Sequence, residues 1–291
     1  MKQLPVLDIS KFYFAGKKEE FYSNILSLHN KEHHHHIDKP HKHNSYLVVL
    51  FTKGTGMHEV DFSSYKVKPG SVFLLTPGQT HSWNLSKDAE GYVFLHSKNY
   101  YDQPYSHNTI DSFPFFYSTQ NTPCIYLSKQ NEPRIRKLFS EIHKEFSSDV
   151  ILKYRKICSL LDILYIELSR LYLGSNYKKV VSSSNYSMKL KQLEQLIDTN
   201  FIELKSPGDY ASLMNISTKH LNRISQTLVE KSTSELIADR VLLEAKRMLL
   251  HSENTVSEIA ELLGYRDYSY FSRLFKKVCG ETPTEFAKHY R

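Results

Sequence analysis

Cysteine is scarce in this chain. The three present, Cys124, Cys158 and Cys279, are scattered, odd in number and never spaced as CxxC. That argues against a disulfide framework or a cysteine-ligated zinc, and it points to a reducing, cytoplasmic setting. No apolar run approaches the roughly 18 residues that a membrane span needs. The opening stretch MKQLPVLDISKFYF also lacks the apolar core of a signal peptide. A charge excess is missing where a nucleic-acid binder would carry it. The 291 residues hold a net +7, yet Lys189 to Arg291 contributes only 15 Lys and Arg against 14 Asp and Glu. A DNA-binding face in that region has to come from sorting charges onto one side. The length suits two domains, and 40% apolar with 24% charged residues is ordinary globular composition.

What is present concentrates near the C-terminus, in Thr255 to Phe286. Thr255 with Glu258 forms a capping box that opens a helix. Val256, Ile259, Ala260 and Leu263 follow at i, i+3, i+4, i+7 on one stripe. Gly264 ends that helix, and Asp267 caps a second whose buried stripe is Phe271, Leu274, Phe275 and Val278. Gly280 stops the second helix, and Thr282-Pro283 with Glu285 starts a third. Two short helices about a tight turn, the second studded with Tyr, Ser, Arg and Lys, read as a helix-turn-helix.

The same pattern occurs earlier in weaker form. Ser206, Asp209, Ala211, Leu213 and Asn215 match Thr255, Glu258, Ala260, Leu262 and Gly264 at an offset of 49, which becomes 50 at Leu221 and Arg223. Between the copies, Ser234–His251 carries Ile237, Val241, Ala245 and Met248 on one stripe of a long helix. A further amphipathic helix, Met188–Phe201, precedes them.

The string GYRDYSYFSRLFKKVCGETP, Gly264–Pro283, resembles the signature of AraC-type transcription regulators. The resemblance implies two tandem helix-turn-helix motifs in an all-α domain that enter successive major grooves of double-stranded DNA. The first turns of a recognition helix face base edges. The candidate DNA contacts are therefore Lys219, His220, Asn222 and Arg223 in the first copy, and Tyr268, Ser269, Tyr270 and Arg273 in the second. Arg suits guanine and Asn suits adenine. Lys276 and Lys277 are assigned to phosphates. The first copy departs from the family pattern at Ser225-Gln226-Thr227 and at Glu230, where a Gly is usual, and Ala287 stands where an Arg is common.

The N-terminal half reads as short strands: Tyr46–Thr52, Met57–Phe62, Tyr65–Lys68, Ser71–Leu75, His81–Leu85 and Tyr92–His96. A turn is expected at Ser63-Ser64. The arrangement resembles the antiparallel cupin jelly roll that begins many AraC-type regulators. His41, His43 and His81 stand where cupin metal ligands lie, but Leu47 takes the place of the ligating Glu. We therefore assign His41, His43, Tyr46, His81 and Trp83 to an effector pocket, with no metal and no cofactor. The run His33–His36 is expected in a solvated loop. The alternative reading is a metal-dependent cupin enzyme fused to a DNA-binding tail.

Two helices follow, from Pro133 to Phe146 and on to about Leu173. The second shows one apolar face from Ile157 to Leu171 and another of Tyr154, Cys158, Tyr165 and Tyr172. Either a partner subunit covers that second face, as the family resemblance implies, or the two helices bury each other. Gly174–Ser187 reads as a linker. The expected fold is thus a multidomain α+β chain: residues 1–173 as a cupin-like sensor and dimerisation domain, 174–187 as linker, and 188–291 as the DNA-binding domain. The expected protein is a cytoplasmic, homodimeric, small-molecule-responsive transcription regulator that has no membrane partner and is not an enzyme.

Overall fold

The computed structural model describes residues 5–13, 20–37, 39–105, 109–174 and 184–290, apart from the side chains of residues 34–37, 184, 185 and 251. The chain divides into two compact units, Leu4–Ser182 and a C-terminal unit that starts at Ser183. Most of the segment expected to be a linker lies outside the described residues, and helix begins at Ser184, inside that segment's expected span.

The first unit is built from ten strands: β1 (Val6–Leu7), β2 (Phe21–Ile25), β3 (His41–His43), β4 (Tyr46–Lys53), β5 (Gly56–Val60), β6 (Ser63–Val67), β7 (Ser71–Leu75), β8 (Thr80–Leu85), β9 (Glu90–His96) and β10 (Cys124–Tyr126). They form two five-stranded sheets, ordered β1-β3-β8-β5-β6 and β10-β7-β4-β9-β2. All pairings are antiparallel except β1 with β3. This is the double-sheet, jelly-roll-like arrangement the resemblance implies.

The second sheet is buried on both faces, because each face has its own apolar cluster. Leu47, Val49 and Phe51 of β4 join Phe73, Leu75, Val60 and Val67 between the sheets. Tyr46, Val48 and Leu50 point the other way, into a layer with Phe94, Phe116, Ile135, Phe139 and Leu161. That layer is covered by helices α3 (Glu132–Phe146) and α4 (Lys153–Leu173), and by the 110–117 segment. Strand alternation at a period of two assigns the faces.

Three features differ from the sequence expectation. The hairpin between β5 and β6 turns at Asp61-Phe62, not at Ser63-Ser64. Val60 pairs with Ser63, and the two turn residues have φ of 47° and 67°. Both central residues of a type I′ hairpin turn need positive φ, and Phe carries no sequence signal for that conformation. His33–His36 lies not in a loop but on α1 (Leu26–Ile37), where Leu26, His29 and His33 are buried at i, i+3, i+7. Imidazole rings there take the place of an aliphatic stripe, with His33 against Phe12 at 5.0 Å and His29 at 5.2 Å.

The third difference concerns the second apolar face of α4, which is covered within the chain. Tyr165 is fully buried among Tyr101, Phe113, Phe115 and Phe116. The Tyr154 hydroxyl donates to the Tyr100 carbonyl at 3.1 Å. Tyr101 belongs to α2 (Lys98–Asp102), which the sequence did not reveal. The face offered as a reason for a partner subunit therefore already has its partner.

The second unit is all helix: α5 (Ser184–Asn200), α6 (Pro207–Leu213), α7 (Thr218–Val229), α8 (Thr233–His251), α9 (Val256–Leu262), α10 (Tyr268–Cys279) and α11 (Pro283–Tyr290). The stripe Ile237, Val241, Ala245 and Met248 of α8 is buried. Among the described residues no helix is long and apolar enough to cross a membrane.

Candidate nucleic-acid interface and barrel histidine site

The two helix-turn-helix copies have matching lengths: α6 and α9 span 7 residues each, and α7 and α10 span 12 each. In the second copy the Thr255–Glu258 capping box is complete, with Thr255 Oγ1 accepting from the Glu258 N–H and the carboxylate accepting in return. Gly264 takes φ +81°, and a Cβ there would lie 2.2 Å from the Ile202 carbonyl oxygen. No other residue type fits that turn without displacing backbone. Lys205 holds the same corner, its ammonium donating to the carbonyls of Phe201, Ile202 and Leu263.

Asp267 then accepts two backbone N–H bonds, from Ser269 at 2.7 Å and Tyr270 at 3.1 Å. An acidic cap on the positive helix end starts α10 firmly. Phe271 and Phe275 are fully buried, and Phe275 meets Phe286 of α11 at 5.7 Å between ring centres. The opposite face leaves Tyr268, Ser269, Tyr270, Arg273, Lys276 and Lys277 exposed. Ser269, Tyr270, Arg273, Lys276 and Lys277 fall within about 120° of one another around the helix, with Tyr268 exposed at its first turn.

The first copy is assembled differently. Ser206 caps the Gly208 N–H and Ser217 caps the His220 N–H. Asn215 takes the left-handed turn at φ 52°, as its match to Gly264 predicts, and Glu230 stops α7 in the left-handed region at φ 58°. Ser225 is buried where the second copy has Phe275. Its hydroxyl donates to the Asn222 carbonyl at 3.1 Å and lies 3.4 Å from the Thr233 hydroxyl.

Of the four candidate contacts here, Lys219 is exposed, and the other three are engaged within the unit. The Asn222 side-chain oxygen accepts the Thr233 N–H at 3.0 Å, which fastens the start of α8. Arg223 donates to His220 Nδ1 at 3.3 Å and sits over the Tyr186 ring, 6.0 Å from its centre. Tyr186 was not singled out from the sequence, because it belongs to a helix start read as linker.

In the first unit, His41, His43 and His81 converge and are all buried. The Nε2 atoms of His41 and His43 are 3.2 Å apart, and those of His43 and His81 are 3.0 Å apart. Trp83 joins them, its ring 5.5 Å from His81. Tyr46 does not. It lies on the opposite face of its sheet, stacked on His96 at 5.4 Å and donating to Asp111 at 2.9 Å. A period of two places Tyr46 and Leu47 on opposite sides, and a strand buried on both faces gives no sequence hint of which side is which.

Sequence reasoning also missed His58. Its Nε2 lies 3.0 Å from His81 Nδ1, and its ring is packed between Phe73 and Trp83. Burial holds these imidazoles neutral: His58 is pulled down to about 3, and His43 and His81 fall well below the usual histidine range.

Two family models match this chain. Residues 24–153 match the AraC-like ligand binding domain, and residues 210–289 match the helix-turn-helix domain. The chain belongs to the AraC-type transcription regulators. The regulator is 23% identical over 251 residues to the arabinose operon regulatory protein of Escherichia coli K12, covering 86% of this chain and 82% of that one. It is 27% identical over 170 residues to the raffinose operon transcriptional regulatory protein RafR of Pediococcus pentosaceus, covering 56% and 58%. Among solved structures, ToxT from Vibrio cholerae aligns with 92% of this chain and 98% of its own at a TM-score of 0.43 and 13% identity. The chain thus carries both the ligand-binding and the helix-turn-helix domain, and these relatives are named as regulators.

Proposed function

We propose that this regulator works as a cytoplasmic homodimer whose α7 and α10 enter successive major grooves on one face of promoter DNA. A small molecule bound near His41, His43, His81 and Trp83 sets how the two copies' DNA-binding units are placed. In this reading residues 1–173 sense, 174–187 link and 188–291 bind. The single observation that carries it is the equal pair of recognition helices flanking α8. At 19 residues α8 extends about 28 Å, against the ~34 Å of one DNA turn.

The exposed Tyr268, Ser269, Tyr270 and Arg273 supply base-edge and phosphate chemistry on α10, and Lys276 and Lys277 supply phosphate contacts. Lys219 and Arg223 do so on α7. For the homodimer, Ile163 and Ile166 on α4 are exposed at 45% and 37%. They are the apolar positions on that helix a second copy would cover. An effector can act here only by binding one arrangement of the dimer more tightly than the other.

The test is a genome-wide binding profile, paired with fluorescence anisotropy on the recovered sites at 50 and 200 mM salt. Paired half-sites with contacts one turn apart, and affinity falling steeply with salt, are expected. Recovered sites that protect a single groove segment per subunit would overturn the two-helix reading.

A further inference from the structure

We propose that His41, His43 and His81 bind one divalent first-row transition ion, of the Zn²⁺ class, through their Nε2 atoms. The sequence alone assigns these rings to an effector pocket without metal. Their donor geometry changes that assignment.

A neutral imidazole has one N–H and one in-plane lone pair. His41 Nδ1 lies 2.8 Å from the Lys39 carbonyl, which can only accept. In the neutral ring the proton is therefore on Nδ1, and His41 Nε2 directs its lone pair toward His43. His43 Nε2 faces His41 Nε2 at 3.2 Å and His81 Nε2 at 3.0 Å, and one ring nitrogen cannot serve both directions. Whichever tautomer His43 adopts, one of these contacts is unmet in a site where the three residues are exposed by only 1%, 4% and 2%.

An ion at the centre resolves all of it. Nitrogens ligating at ~2.0–2.1 Å stand roughly 3.0–3.4 Å from one another in tetrahedral geometry. The His41–His43 and His43–His81 edges have that spacing, and all three donor atoms lie within 4.8 Å of one another. The rings are carried by paired strands, with His41 directly opposite His81, so the triangle is set by the sheet.

Two of the three rings have the outward partner a ligating histidine uses. His41 is oriented by a backbone carbonyl, and His81 by His58, whose Nε2 lies 3.0 Å from His81 Nδ1 and would accept its proton once His81 Nε2 ligates; His43 Nδ1 has no such partner. His58 is thus a positioning residue. The donor set is all nitrogen, since Leu47 occupies the place of the carboxylate that cupins use. Imidazole alone suits Zn²⁺, Fe²⁺, Ni²⁺ or Cu²⁺ and disfavours Mg²⁺ and Ca²⁺. Three protein ligands also leave coordination positions open to a small molecule.

The test uses the full chain, expressed without an affinity tag, stripped with chelator and dialysed. Zn²⁺ is titrated in competition with a chromogenic chelator, and Co²⁺ is added separately to read its visible absorption. One equivalent of Zn²⁺ and a Co²⁺ spectrum of few-coordinate nitrogen ligation are expected. His43→Gln should abolish both, and His58→Gln should weaken Zn²⁺ binding roughly 10–100-fold. Circular dichroism melts of the stripped variants confirm folding, with His41→Gln replacing His43→Gln if the latter does not fold.

The His33–His36 run is a rival chelator, so a variant with His34, His35 and His36 changed to Ser is titrated alongside and should keep the tight site. Binding that survives His43→Gln and disappears from the serine variant would place the ion on the run. That result overturns the proposal, as does absence of stoichiometric binding in the unaltered chain. DNA binding enters none of these readouts, so the result stands apart from the regulator's groove-reading model.

Discussion

The two helix-turn-helix copies share helix lengths and turn positions, but different forces hold them. In the second copy α10 is seated by Phe271 and Phe275, with Phe275 packed against Phe286. Burying such a ring contributes about 1.5–3 kcal/mol. In the first copy the place of Phe275 is taken by Ser225, and α7 is fastened to α8 by the Asn222–Thr233 hydrogen bond and the Ser225 hydroxyl. A net hydrogen bond contributes nearer 1 kcal/mol. The turns differ in the same sense, glycine against asparagine and glycine against glutamate. A helix-turn-helix therefore keeps its shape under two different supports. The polar version uses up side chains that would otherwise face DNA.

The largest test of this contrast is at the turns. Gly264→Ala adds a methyl group against the Ile202 carbonyl in a left-handed conformation, and should cost about 3 kcal/mol in urea unfolding of the full chain. Asn215→Ala meets only the conformational term and should cost about 1 kcal/mol. Equal losses would erase the difference between the copies.

Next in size, Arg273→Ala should lower preference for a recovered site over random DNA by about 1–3 kcal/mol. Arg223→Ala should lose less, because its guanidinium is already engaged by His220 and Tyr186. Competition binding checks the pair, and a larger loss at Arg223 reverses the ranking. Asn222→Ala should cost about 1 kcal/mol of stability while leaving site preference unchanged. A changed preference would return Asn222 to the base readers.

Glu230→Gly relieves a left-handed residue and should raise stability by about 1 kcal/mol, read as a higher melting temperature. The smallest effect is on electrostatics. Lys276→Ala should weaken all DNA alike and reduce the slope of log affinity against log salt by about one.

Capping chemistry made the C-terminal unit readable in advance. Thr255 with Glu258, Asp267, and Thr282 with Glu285 are local signals whose hydrogen bonds form within three residues. The Asn215 turn was readable for the same reason. What escaped notice depends on distant partners. Nothing near Asn222 in sequence says that Thr233 will claim its side chain, and nothing near Tyr165 says that Tyr101, Phe113, Phe115 and Phe116 will cover it. The histidine site was half legible. The His41-x-His43 spacing and His81 were visible, but Tyr46 was placed with them and His58 was left out. Facing in a doubly buried strand, and pairing between β5 and β8, are set by the sheet and not by neighbours along the chain.

The burial of β4 on both sides has a mechanical meaning. Residues 46–51 form a diaphragm one residue thick, with Leu47, Val49 and Phe51 on the histidine side and Tyr46, Val48 and Leu50 against α3 and α4. Close-packed side chains do not compress, so a displacement on one side of such a partition is delivered to the other. A shift of the side chains on the histidine face of β4 is therefore delivered, through a single strand, to the layer that α3 and α4 form.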